Sequence, residues 1–233
     1  VIGISAILTT LWFAIRQPES LTEEHKKPLT FSAVGKAFHE VFTHKVVMAY
    51  TVSQGLIFGC FMSYLVASQA IFEHSFGIID EFPMYFAIMA LSFGVGAFIN
   101  SRLVMKYGMR KMLYSMLPIF ILLAGLLTFV SSVNLGKPSL ATFLILALPM
   151  FFTINVMFTN LNSMAMQLLG HMAGVGAAVI GSLSSMIGVI VSVLVGQRFD
   201  GTLTLFFTSY LLIGFLIIGL SVYAHKTCPD LED

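Results

Sequence analysis

The chain has 233 residues, of which 58% are hydrophobic and only 10% charged, and its formal net charge is +1. With a mean hydropathy of +0.93, it has too much apolar surface for a water-soluble globule. The same numbers exclude disorder, collagen, a coiled coil, a disulfide scaffold and the basic field of a nucleic-acid binder.

A helix needs about 20 apolar residues to cross a bilayer, so the sequence predicts an all-α polytopic membrane protein. Residues 1–15 are apolar but too few to span comfortably. They read as the end of a transmembrane helix whose start lies upstream. Residues 16–45 are the only long polar stretch, and they hold Pro18, Pro28 and five Lys/Arg. Within this linker, residues 31–44 have a helical period. Phe31, Val34, Phe38, Val41 and Phe42 share one face, and Ser32, Lys36, His39, Glu40 and Thr43 the other. That pattern predicts an amphipathic helix lying on the membrane or packed on the membrane end of a bundle.

Six full-length apolar runs follow, at 46–72, 82–105, 112–130, 141–164, 174–195 and 204–224, and residues 225–233 form a tail. The first three runs begin about 90–95 residues before the last three. This offset fits a three-plus-three inverted repeat. Lys and Arg favour cytoplasmic loops. Arg16, Lys26, Lys27, Lys36, Lys45, Arg102, Lys106, Arg110, Lys111 and Lys226 fall on one side, against Lys137 and Arg198 on the other. The linker, the 102–111 loop and the C-terminal tail are therefore expected in the cytoplasm.

All Asp and Glu residues lie outside the cores of these runs. A carboxylate at membrane depth is the usual proton carrier, so any proton coupling would have to come from outside this chain. The histidines sit in loops and linkers at spacings that predict no metal site, and no enzyme or phosphate-binding motif occurs. Cys60 lies in an apolar run and Cys228 in the tail, so both are expected as free thiols.

Neutral polar residues are unevenly spread. The runs 112–130 and 204–224 are almost wholly apolar and read as outer helices. The run 46–72 carries Tyr50, Gln54, Phe61, Tyr64 and Ser68 on roughly one face, and 141–164 carries Phe151, Asn155, Phe158, Thr159 and Asn162. An amide in hydrocarbon must find a partner or water. These faces read either as a cavity wall of Tyr50, Gln54, Phe61, Phe151, Asn155 and Asn162, or as interhelical hydrogen bonding. In the run 174–195, small residues recur, with Gly174, Gly181, Gly188 and Gly196 as candidate helix-packing positions. Gly108 suits a tight turn between Lys106 and Arg110. The basic residues around it can bond helix-end carbonyls, anchor to anionic lipid or simply set orientation.

Several segments resemble the C-terminal half of a major facilitator superfamily transporter of the Bcr/CflA drug-efflux type. The stretch from Arg16 through Pro18 and Glu19 to Leu21 is similar to that family's exit from helix six. The following KPLTF is similar to its central loop. SQAIFEHSFGI at 68–78 and YFAIMAL at 85–91 resemble its helix-seven exit and helix-eight start. Asn100, Arg102, Gly108 and Arg110, with Lys106 among them, resemble the superfamily's loop motif, with Met105 standing where the motif has its acid. Gly170-His171-Met172-Ala173-Gly174 and the run from Gly196 to Thr202 are the most specific matches.

The resemblance implies a six-helix bundle, preceded by the end of helix six, as half of a twelve-helix protein. It further implies proton-driven export of small amphipathic drugs across a bacterial inner membrane, with the coupling acid in the N-terminal half. No cofactor beyond the proton gradient is implied, and a role for the 102–111 loop in conformational switching is. The alternatives are a transporter of a sugar or metabolite, a seven-span receptor, and a membrane-embedded enzyme. The last is disfavoured because the spans lack ionisable groups.

Overall fold

The computed structural model describes residues 2–16, 31–197 and 199–227. Among them lie eight α-helices, one 3₁₀ turn at Gly170–Met172 and no strand. The helices are α1 Ile2–Arg16, α2 Phe31–Thr43, α3 Lys45–Phe76, α4 Phe82–Tyr107, α5 Met109–Val133, α6 Leu140–Gln167, α7 Ala173–Gly196 and α8 Leu203–Thr227. Within hydrocarbon, every backbone N–H and C=O must bond inside its own segment, which makes helices of these apolar runs. Helices α3 to α8 are all long and apolar enough to cross a membrane.

The chain divides into two units, Val1–Val34 and Gly35–Asp233. In the first, α1 has 15 residues. At about 1.5 Å per residue it falls short of the roughly 30 Å hydrocarbon core. Residues 17–30 of the linker, with Pro18 and Pro28, lie outside the described residues, as do Arg198 and Cys228.

In the second unit, the end of α2 buries Val41, while Phe38 and Phe42 are exposed and stacked on each other at 6.4 Å. The apolar face expected for 31–44 is thus only partly covered by this unit. Helix α3 runs four residues past its expected end. Glu73 and His74, expected in a loop, form its last turn, and the helix stops at Gly77. Charged residues tolerate a helical end once it leaves the hydrocarbon, so the polarity change precedes the end of the helix. Gly108 alone separates α4 from α5, with φ at +80°. A side chain would strain that conformation, which suits glycine there.

Side-chain contacts give the direction of each helix. Gln54, Phe58 and Tyr64 on α3 meet Asn162, Phe158 and Phe151 on α6, so the two run antiparallel. Ser92, Gly96 and Asn100 on α4 meet Leu148, Phe152 and Asn160, so α4 and α6 run parallel. Gly55 and Gly59 on α3 abut Ile187 and Val191, so α3 and α7 are also parallel. Tyr114 and Ile121 on α5 meet Ser221 and Gly214 on α8, an antiparallel pair.

The packing is symmetric between the triplets. Helix α3 packs on α7 and α8, and α6 packs on α4 and α5. The pairs α3–α6 and α5–α8 bridge corresponding helices, whereas chain neighbours α4–α5 and α7–α8 touch little. An odd number of antiparallel helices reverses the second triplet, so this is the inverted repeat that the 90–95-residue offset predicts.

Helices α5 and α8, expected on the outside, meet lipid only in part. Leu122, Phe129, Leu212 and Phe215 are exposed, while Phe120, Leu127, Phe206 and Tyr210 are buried. Tyr210 bonds the Cys60 carbonyl and contacts Ser63 Oγ at 3.0 Å, pinning α8 to α3. Cys60 is a buried free thiol.

At the far end of the bundle two loops are joined. The Leu203 N–H donates to the Gly136 carbonyl at 2.9 Å, and Asp200 accepts from both the N–H and the hydroxyl of Thr202. Those two bonds hold the Asp200 carboxyl below the usual carboxylate range. Gly136 has φ +86°, and a Cβ there would lie 2.3 Å from Thr202 Cβ. Gly136→Ala is expected to destabilise the chain by about 1–3 kcal/mol, from strain and overpacking together. A lowered thermal midpoint checks this, and an unchanged one would show that the loops do not seat on each other.

Candidate functional site

The two helices singled out for mixed polar and aromatic faces lie side by side at the centre of the bundle. Tyr50, Gln54, Phe151 and Asn155 are buried, and Phe61 and Asn162 are half-buried. The Gln54 amide Nε2 donates to Asn162 Oδ1 at 3.1 Å across the α3–α6 seam. Two acceptors on these two helices are unsatisfied among the described residues. Gln54 Oε1 and Asn155 Oδ1 are buried and accept from no group among the described residues. A buried acceptor without a donor costs about 1–3 kcal/mol, so two of them on facing helices need a physical explanation.

Two to three turns along α3 the wall becomes aromatic. Phe61 stacks on Phe93 of α4 at 4.3 Å, and Phe151 stands edge-on to Tyr64 at 4.5 Å. These rings, with Leu65, Phe86, Met89 and Ala90, surround a cavity of about 80 Å³. The buried Tyr64 hydroxyl beside it has no hydrogen-bond partner among the described residues. A ligand pocket for a drug-sized molecule measures about 300–1,000 Å³. The cavity among these rings is therefore too small to enclose a drug-sized molecule by itself.

Helix α4 is held against this wall by three contacts. Asn160 donates to Asn100 Oδ1 at 2.7 Å, the Ser92 hydroxyl donates to the Leu148 carbonyl, and Gly96 lets the backbone approach Asn155. A Cβ at Gly96 would lie 3.0 Å from the Phe152 carbonyl and 3.2 Å from Asn155 Cβ. Phe93, Asn160 and Gly96 were not singled out by the sequence reading. Asn160 lies one turn beyond Val156, on a different face of α6 from Asn155 and Asn162, which is why a one-face search passes over it.

The five residues read as one loop motif separate into distinct environments. Asn100 is buried in the α4–α6 seam. Arg102 lies over the Phe98 ring at 5.2 Å and Lys106 over Tyr107 at 5.1 Å, both exposed. Gly108 makes the turn, and Arg110 faces a cavity between α4, α5 and α8.

The glycines of α7 also divide. Gly188 meets Phe58, whereas Gly174, Gly181 and Gly196 have no atom within 4 Å of where a Cβ would stand. The tight seam is made instead by Gly55 and Gly59 of α3 against Ile187, Gly188 and Val191. The Gly-x-x-x-Gly spacing of 55 and 59 is the signal that would have found it. No group of three or more metal-ligating side chains occurs among the described residues.

Comparison with known proteins agrees with this architecture. The chain is 28% identical over 198 residues to an uncharacterized MFS-type transporter, YdgK, of Bacillus subtilis, covering 84% of this chain and 48% of that protein. It is 25% identical over 235 residues to a bicyclomycin resistance protein homolog of Haemophilus influenzae, covering 100% of this chain and 57% of that protein. The chain thus spans about half the length of these curated relatives. No solved structure gives a significant match. The family profile described as Major Facilitator Superfamily matches residues 1–193, and with six membrane-crossing helices in an inverted repeat, the chain belongs to that superfamily.

Proposed function

We propose that this chain forms the C-terminal half of a proton-coupled exporter of small amphipathic compounds, working by alternating access in a bacterial inner membrane. The observation that carries the reading is the α3–α6 wall, where buried amides with unsatisfied acceptors adjoin a cluster of aromatic rings. Rings give contact to flat apolar groups, and attract cations through their faces. The unsatisfied Gln54 and Asn155 oxygens can accept from ligand N–H or O–H groups. Tyr50, Gln54, Phe61, Phe151, Asn155 and Asn162 would line the half-site, and the opposite wall would come from an N-terminal half. The bicyclomycin resistance homolog among the relatives supports drugs over sugars or metabolites. So does the absence of charged groups from the wall.

The acids among the described residues, Glu40, Glu73, Asp80, Glu81 and Asp200, stand in loops or near helix ends. A proton-carrying carboxylate at membrane depth would therefore belong to the N-terminal half. The excess of Lys and Arg supports a cytoplasmic position for the 102–111 loop and the C-terminus. Gly108, between α4 and α5, would serve as the pivot of the loop motif during switching.

The test is resistance and accumulation in a drug-sensitised bacterium expressing the intact transporter. Expected is reduced accumulation of bicyclomycin or other amphipathic compounds, abolished by a protonophore. Unchanged accumulation across a broad panel, with the protein present in the membrane, would refute the export reading. Export that survives the protonophore would refute proton coupling alone.

A further inference from the structure

The cavity of about 80 Å³ between α3, α4 and α6 has a floor and a rim. Tyr64, Met89 and Phe151 are buried and form the floor. Leu65, Phe86 and Phe93 are half-buried at the rim, where Ala90 is exposed. Helices α3 and α4 touch little, and here the Phe61–Phe93 stack at 4.3 Å bridges them. Among the lining side chains only Tyr64 carries an oxygen or nitrogen, and helix backbone groups are bonded within their own segment. A water needs about two to four polar partners, so this space favours an apolar guest over water. Left unfilled, it forfeits contacts that a close-packed interior would make.

We propose that this cavity is a subsite for a compact branched aliphatic group, such as isopropyl or tert-butyl, carried by an exported compound. The subsite rests on the transport reading above, since Phe61 and Phe151 belong to the wall assigned there. Size sets the class of guest. An apolar cavity of about 150 Å³ holds benzene, and this one has about half that volume. A ring is therefore excluded, whereas a branched group of a few carbons fits. The lining keeps its shape because its rings brace one another. Phe61 stacks on Phe93 and stands edge-on to Phe151 at 6.4 Å, and Phe151 stands edge-on to Tyr64 at 4.5 Å. Aromatic side chains have only two torsions, so braced rings do not collapse into the gap. A flat compound would lie along the wall and insert its branched end past Phe61, and the wall would then select by branching as well as by hydrogen bonding.

The test titrates the N-methyl, N-tert-butyl and N-benzyl amides of dansyl into the intact transporter in nanodiscs. Binding is read from dansyl fluorescence against discs without protein. The tert-butyl amide is expected to bind about tenfold tighter than either of the others, the discrimination a small apolar pocket gives. Two variants move the preference in opposite directions. Ala90→Leu fills the cavity from its exposed rim, and should weaken the tert-butyl amide about tenfold while leaving the methyl amide unchanged. Phe86→Leu enlarges the cavity, and should bring the benzyl amide level with the tert-butyl amide. Tightest binding by the benzyl amide in the parent, or the parent's order kept in both variants, would overturn the subsite and leave the wall standing. Absence of binding by all three amides would overturn the subsite and the wall together. The expected order and shifts in a transporter that changes no drug accumulation would uphold the subsite and refute export alone.

Discussion

Gly59→Ala is expected to lower stability by about 1–3 kcal/mol or to prevent folding, whereas Gly181→Ala is expected to raise it slightly, by up to about 1 kcal/mol. Both glycines lie in helices and both changes add one methyl group. At Gly59 that methyl would stand 2.5 Å from Val191 Cβ and Cγ1 and 3.1 Å from the Gly188 carbonyl. Val191 is β-branched and therefore stiff, and a backbone carbonyl cannot turn aside. The α3–α7 seam would have to open, and overpacking of a tight core costs about 1–3 kcal/mol. At Gly181 nothing lies within 4 Å, and replacing a helical glycine removes its entropic cost of about 0.5–1 kcal/mol. The measurement is the thermal midpoint of each variant of the 233-residue chain in one detergent. Equal midpoints would mean that α3 and α7 are not in direct backbone-level contact.

The contrast between those glycines shows what was legible in the sequence. The number and positions of the spans follow from apolar run length, because crossing hydrocarbon imposes length on every segment alike, whereas the offset only hinted at the repeat, since any six evenly spaced helices would share it. The faces of α3 and α6 were legible too, since a polar amide stands out against an apolar run. Small residues carry no such contrast. Gly174, Gly181, Gly188 and Gly196 mark a stripe on α7, yet of these only Gly188 is used, and beside it in the seam stand Ser184, Ile187 and Val191. Which face of an apolar helix turns inward depends on its neighbours' shape, and periodicity within one helix does not contain that information. The same holds for Asn100. It was singled out by its resemblance to the loop motif, and that its Oδ1 accepts from Asn160 inside the α4–α6 seam is seen only in the packing. Helix ends were misplaced for a simpler reason. Glu73 and His74 are polar, but a helix continues into the headgroup region until a residue such as Gly77 ends it.

Gln54→Leu in the intact transporter is expected to fold as well as the parent and yet to lose export of hydrogen-bonding compounds by about tenfold, or about 1.4 kcal/mol. The prediction rests on separating two roles of the Gln54–Asn162 pair. As an interhelical pin, an amide pair in a membrane bundle averages about 0.6 kcal/mol. That contribution is small, and leucine of similar size removes the unsatisfied Oε1 along with the bond, so the net change in stability is near zero. As part of a wall facing substrate, Gln54 Oε1 is an acceptor that leucine cannot replace. Compounds bearing N–H or O–H donors should lose export, while wholly apolar compounds, held by Phe61, Tyr64 and Phe151, should lose little. Asn155→Leu should act in the same direction through its own unsatisfied oxygen. The measurement is export rate for two matched compounds, with and without a donor group, beside the thermal midpoint of each variant. If both compounds fall together with the midpoint, the amides are structural pins. If neither compound changes in either variant, α3 and α6 do not form the wall of the transport site.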